Sequence, residues 1–275
     1  MHILKKIFTT SLFMHLSMFM IHHILSSKKK ASKELSEDEG DRGKELQKRV
    51  TDLKKKLYNS GIINKIVKMD LDDKIMGITL YEKGKFYEKG KTVIVNAANS
   101  QFSTGGGRLN KAVTDFVKSK NGVKNGEWKH LREIECDNED YSGRIGVSEF
   151  DYGYVLHIVG LNAKDLKDGN IPIGKVEDYI YKLYKYAFIG IKEILEGREK
   201  ESEEESEQES EEESEGNDLG NVLVCFVSNG IYACSDEDKD GTKFSGNEFA
   251  LRAQIGCLKA IKKYSKGLNI VLNSR

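Results

Sequence analysis

Apolar positions change period several times along the chain, and each change marks an element. Leu46, Val50, Leu53 and Leu57 recur at intervals of four, three and four, which is one stripe of a helix, and Gly61 behind Asn59-Ser60 stops it. Short β-branched and aliphatic runs follow at Ile62–Val67, Val93–Asn96, Val155–Val159, Val222–Val227 and Ile270–Leu272, and each predicts a strand. Between them the helical period returns. Ala112–Lys118 is one such segment, and Val176–Leu195 is another, with Val176, Ile180, Leu183, Ala187, Ile191 and Ile194 on one face. A third opens at Ser245-Gly246-Asn247-Glu248, which fits a capping box, and carries Phe249, Ala253, Cys257, Ala260 and Tyr264. Helices alternating with strands that are apolar on both faces predict an α/β sheet covered on both sides, with ligands at its strand ends.

The chain has 275 residues, 38% of them hydrophobic, enough for one sizeable core with polar extensions. Lys5 and Lys6 precede a diluted apolar run from Ile7 to Leu25, so residues 1–27 are expected to be a secretory signal. An uncleaved membrane anchor is the second reading and a buried amphipathic helix the third. The expected location is therefore secreted or membrane-anchored, and cytoplasmic if the segment is no signal. Residues 28–45 are charged and aperiodic, which predicts a linker, so the folded domain is expected over 46–275 with its core at 62–275.

The net charge of zero conceals an asymmetry. Residues 197–220 hold twelve acids against Arg198 and Lys200, a local −10, which leaves +10 for the remainder. The acidic stretch cannot bury a core and is expected to be a disordered insertion. Its Ser202, Ser206 and Ser210 each have an acid three residues on, a pattern for an acid-directed kinase, although a solvated spacer is the plainer reading. Cys136, Cys225, Cys234 and Cys257 show no disulfide or zinc spacing. Asp236, Asp238, Asp240 and Gly241 imitate the opening of an EF-hand loop, but its twelfth position is Asn247 and Glu248 comes one residue late. No metal and no cofactor are expected.

The richest chemistry lies in Val93–Gly107, where a β-branched run drives into Asn96, Asn99 and then Gly105-Gly106-Gly107. Asparagine brings donors and an acceptor to the strand end, and glycine lets backbone N–H groups approach an anion. A second strand, Val222–Val227, opens into Ser228-Asn229-Gly230-Ile231-Tyr232-Ala233. Two such loops suit a diphosphate.

At these residues the sequence resembles the macro domain, an ADP-ribose-binding family, over most of Ile62–Arg275. Val95-Asn96-Ala97-Ala98-Asn99 is similar to its signature strand end, Gly106-Gly107-Arg108-Leu109-Asn110-Lys111-Ala112-Val113 to its first phosphate loop and helix start, Leu156-His157-Ile158-Val159-Gly160 to its middle strand, and Ser228–Ala233 to its second loop. Met69-Asp70-Leu71 resembles its adenine clamp. The resemblance implies a three-layer α/β/α fold with a mixed, mostly parallel central sheet. It further implies Asp70 and Leu71 on the adenine, Gly105, Gly106, Gly107, Arg108, Ser228, Asn229, Gly230 and Ile231 around the diphosphate, and Asn99 and Tyr232 at the distal ribose.

Hydrolytic members release ADP-ribose from modified proteins or O-acyl esters, and one subgroup carries an aspartate where this chain has Asn110. Asparagine cannot act as a base at neutral pH, but some active members lack that aspartate. Arg108 stands where a third loop glycine is usual, unless Gly105–Gly107 fill those places with the register shifted by one. Asn96 is expected to tie neighbouring backbone and His157 to be structural. The expectation is a monomer that binds ADP-ribose or mono-ADP-ribosylated protein and hydrolyses the bond, with Asn99, Asn110 and Tyr232 as the catalytic set. A non-cleaving reader is the alternative, and an RNA or poly-adenylate binder a more distant one.

Overall fold

The computed structural model describes residues 41–67, 90–134, 144–168, 171–204, 219–228, 233, 236–238 and 240–273. Contacts divide the chain into Met1–Glu45, of which only 41–45 are described, and Leu46–Arg275. The leader expected at 1–27 lies outside the described residues. Among those described, no helix is long and apolar enough to cross a membrane.

Helix α1 spans residues 41–59, so the linker expected over 28–45 is already helical in its last five residues. Its apolar stripe is the reason it holds: Leu46, Val50 and Leu57 are buried in the main core. Then come β1 (Ile63–Val67), β2 (Thr92–Ala98), α2 (Arg108–Lys118), β3 (Val123–Lys124), β4 (Glu127–Trp128), β5 (Arg132–Glu133), β6 (Ile145–Phe150), β7 (Gly153–Val159), α3 (Ala163–Asp168) and α4 (Val176–Glu204). The chain closes with β8 (Gly220–Cys225), β9 (Asp236–Glu237), β10 (Lys243–Phe244), α5 (Gly246–Tyr264) and β11 (Leu268–Asn273). Ser245 caps α5 by accepting the Glu248 N–H at 3.1 Å, as the capping box requires.

Seven strands form one mixed, mostly parallel sheet in the order β1-β11-β8-β2-β7-β6-β5. The first five run parallel, whereas β6 pairs antiparallel with β7 and β5 with β6. Strand side chains alternate between two apolar clusters. Val93, Val95, Leu156, Ile158, Val222 and Val224 join the residues of α1, α4 and α5, while Ile94, Val155, Leu223, Cys225 and Val271 join Val113, Phe116 and Val117 of α2. Both sheet faces are thereby buried, which is why the central strands read as unbroken apolar runs.

Strand β6 was not anticipated, although Ile145 and Val147 alternate with Gly146 and Ser148 at the period of a strand. The disordered insertion expected over 197–220 is corrected at both ends: α4 continues to Glu204, and Gly220 and its successors are strand. Residues 205–218 lie outside the described part.

Helices α4 and α5 pack closely because Gly256 has no side chain. A Cβ there would stand 2.4 Å from the Glu177 carbonyl oxygen. Glu177 also holds three helices together, accepting from Arg49 of α1 at 3.1 Å and from Lys259 of α5.

Candidate functional site

Strand order decides where a site can form. From β2 the chain goes by way of α2 to β6 and β7 on one side, whereas from the neighbouring β8 it goes by way of α5 to β11 on the other. Adjacent parallel strands whose connections leave in opposite directions open a crevice at their carboxyl ends. Here the opening is visible in the register. Strands β2 and β8 pair only from Thr92–Asn221 to Ile94–Leu223, although β2 continues to Ala98 and β8 to Cys225.

The loop leaving β2 is organised by Asn99. Its Oδ1 accepts the N–H groups of Gln101 at 3.2 Å and Ser103 at 3.0 Å, and its Nδ2 donates to Ser103 Oγ. The residue stays partly exposed. Phe102, at φ 51°, turns its ring inward beneath the Arg144 guanidinium, which lies 4.8 Å from the ring centroid and also donates to the Ser100 carbonyl. A Cβ on Gly106 would lie 3.5 Å from Asn99 Nδ2 and 3.6 Å from Asn110 Nδ2, so a side chain here would just touch both amides. Gly105 is committed internally, its N–H donating to Thr114 Oγ1 at 3.0 Å.

Gly107, at φ 68°, is the N-cap of α2, with no side-chain cap and no acid in the first turn. A helix end of that kind leaves partial positive charge and unpaired N–H groups facing out beside exposed Gly106 and Gly107. The backbone of Arg108 opens this helix.

Asn110 faces inward. It is 2% exposed, its Nδ2 donates to the Ser103 carbonyl at 2.8 Å, and its Oδ1 accepts from Asn96 Nδ2 at 3.0 Å. Asn96 does not tie neighbouring backbone as expected; its amide bridges two side chains, Asn110 and His157, the latter at 3.1 Å. On the far side His157 Nε2 meets Ser148 Oγ at 2.8 Å. Burial pushes the imidazole pKa down to about 3, so His157 is neutral. Trp128 lies 4.4 Å from it between ring centroids, and Phe102 meets it edge-on at 6.1 Å.

The β8 side of the crevice is held by a residue the pattern did not flag. Tyr184, fully buried on α4, donates to the Cys225 carbonyl at 2.5 Å and accepts the Val227 N–H at 3.1 Å, supplying the bonds β8 loses where β2 departs. Burial raises its pKa well above the usual phenol value. A tyrosine next to Leu183 on an otherwise apolar face was the available signal, because a buried hydroxyl needs a partner. Ser228 follows at φ 57°, 1% exposed, with no hydrogen-bond partner for Oγ among the described residues. It approaches Gly160, just past the end of β7, where a Cβ would stand 2.4 Å from Ser228 Oγ.

Thus Asn99, Gly105, Gly106, Gly107, Asn110 and the backbone of Arg108 are gathered in one loop and helix start, and Ser228 stands at the end of β8. Asp70, Leu71, Asn229, Gly230, Ile231 and Tyr232 lie outside the described residues.

Asp238 is a structural anchor. Its Oδ2 accepts the Ile173 N–H at 3.0 Å, and its Oδ1 accepts those of Asp240 at 3.0 Å and Thr242 at 2.9 Å. Burial raises its pKa, but the backbone N–H donors outweigh that and hold the carboxyl below the ordinary value.

Fold and site together define an α/β protein in which β2 and β8 cease to pair at the switch point of the sheet, beside a glycine-rich helix start. No family model matches the chain, and no curated protein matches its sequence.

Proposed function

We propose that the chain is a three-layer α/β/α protein of the macro-domain type that binds ADP-ribose across the β2 and β8 strand ends. The observation that carries this reading is the parting of β2 from β8 beside an uncapped helix start and two exposed glycines. An anion held there meets backbone N–H groups and the positive end of α2, with no lysine required. Asn99 is the polar group beside that anion, suited to the hydroxyls of the distal ribose. By the resemblance, Asp70 and Leu71 take the adenine, and Asn229, Gly230, Ile231 and Tyr232 close over the diphosphate and ribose.

Recognition without cleavage fits the geometry best, because the Asn110 side chain is spent on Ser103 and Asn96. Release of ADP-ribose from modified proteins or O-acyl esters is the second reading, supported by the part-exposed Asn99, which would orient the ribose carbon for attack by water. Calorimetry with ADP-ribose, adenosine monophosphate and a short oligoadenylate tests the ligand. Saturable binding of ADP-ribose with weaker binding of the other two is expected, and preference for the oligonucleotide overturns the reading. A time course on mono-ADP-ribosylated protein, run against Asn99→Ala, then separates reader from hydrolase.

A further inference from the structure

We propose that His157 is a positioning residue for the Ser103–Gly106 loop, acting through Asn96 and Asn110; that this loop receives ADP-ribose rests on the reading above. The four side chains form a chain with a single polarity. The Ser103 carbonyl can only accept, so Asn110 must turn Nδ2 toward it and Oδ1 toward Asn96. Asn96 must then present Nδ2, whose second hydrogen points at His157 Nδ1. That nitrogen is left bare, the proton resides on Nε2, and Nε2–H donates to Ser148 Oγ.

Reversing Asn110 would set oxygen against oxygen at Ser103, and reversing Asn96 would do the same at Asn110 Oδ1. The serine hydroxyl at the other end serves either polarity, so direction is imposed from the loop and not from Ser148. The chain is dry: Asn96, Ser148 and His157 are each 0% exposed, and Trp128 and Phe102 close over the imidazole. Its output is local, because Asn110 holds the Ser103 carbonyl and its amide stands 3.6 Å from where a Cβ on Gly106 would lie.

Nitrogen-15 NMR of full-length protein tests the chain without ligand. Wild-type His157 should be the neutral Nε2–H tautomer. Ser148→Ala should keep it, and Asn110→Ala should admit the Nδ1–H form by freeing the Asn96 amide to turn over. The Thr104 amide, bonded to the Ser103 carbonyl carbon, should shift in His157→Phe. With ligand, His157→Phe should bind ADP-ribose about tenfold more weakly. His157→Asn, which keeps an acceptor for Asn96, should stay within about threefold of wild type. An Nδ1–H imidazole in the wild type, a tautomer lost in Ser148→Ala but retained in Asn110→Ala, or equal losses for His157→Phe and His157→Asn would overturn the proposal. If the wild type binds no ADP-ribose, the ligand reading fails, and the tautomer measurements still decide the positioning role.

Discussion

Two loops in this protein share one local device and use it differently. Asn99 accepts backbone N–H groups from the residues two and four positions on, and Asp238 does the same with Asp240 and Thr242. The remaining atom of each side chain separates them. Asp238 spends its second oxygen on Ile173, 65 residues away, and is 3% exposed, so its loop is sealed into the fold. Asn99 has an amide nitrogen there instead, directed at Ser103 Oγ in a part-exposed turn beside the glycines. One loop is scaffold, and the other keeps polar groups where a ligand can reach them.

Acid should have the largest effect, weakening the His157 core and the Asp238 loop in separate pH windows. The folded His157 pKa, about 3, lies below its ordinary value of 6.5, so the unfolded chain binds the extra proton. Stability contributed this way is whole above about pH 6.5 and falls by about 1.4 kcal/mol per pH unit toward pH 3. Urea unfolding between pH 7 and pH 4 should show this slope in the wild type, and a clearly flatter one in His157→Phe.

Next in size is Asp238→Ala, expected to cost about 3 kcal/mol because three backbone donors lose a charged acceptor. Since the folded carboxyl is held below 3.8, its contribution is present above about pH 4 and lost as pH falls through the folded value. Asp238→Asn should show no loss in that window. Equal thermal stability for Asp238→Ala and wild type would remove the contrast between the loops.

Asn99→Ala is expected to cost only about 1 kcal/mol of stability while weakening ADP-ribose binding about tenfold or more. Parallel calorimetry and denaturant melts read both. Asn99→Asp sharpens the contrast further. It keeps both acceptor bonds, so stability should change by less than about 0.5 kcal/mol. Affinity should still fall, because a carboxylate replaces a donor near the diphosphate, and unchanged affinity would mean that Asn99 only shapes its turn.

How much of this was legible depended on whether the signal was local. The runs at Val93–Val95 and Val222–Val224 announced buried strands because both sheet faces are covered, and Ser245 with Glu248 announced a helix start by their spacing. The spacing of Asp236–Gly241 already spoke against a cation loop, but that Asp238 holds the Ile173 N–H instead depends on a partner 65 residues away. Asn110 was placed with the catalytic set by resemblance, and the fold turns its amide inward on Asn96 and Ser103. Tyr184 escaped notice because Cys225 and Val227, the groups it joins, lie some forty residues away.

The amino-acid order alone determined the five parallel strands and the helices that cover them, where glycine permits a tight loop, and which asparagines stand at a strand end. Only the tertiary structure decided that β2 lies beside β8 with their connections diverging, that His157 reaches the glycine loop through two amides, and that one Asx turn is buried while its counterpart stays open. The physical reason is range. Periodicity and capping act over a few residues and leave a trace in one dimension, whereas strand neighbours and buried polar partners are selected by packing among distant segments.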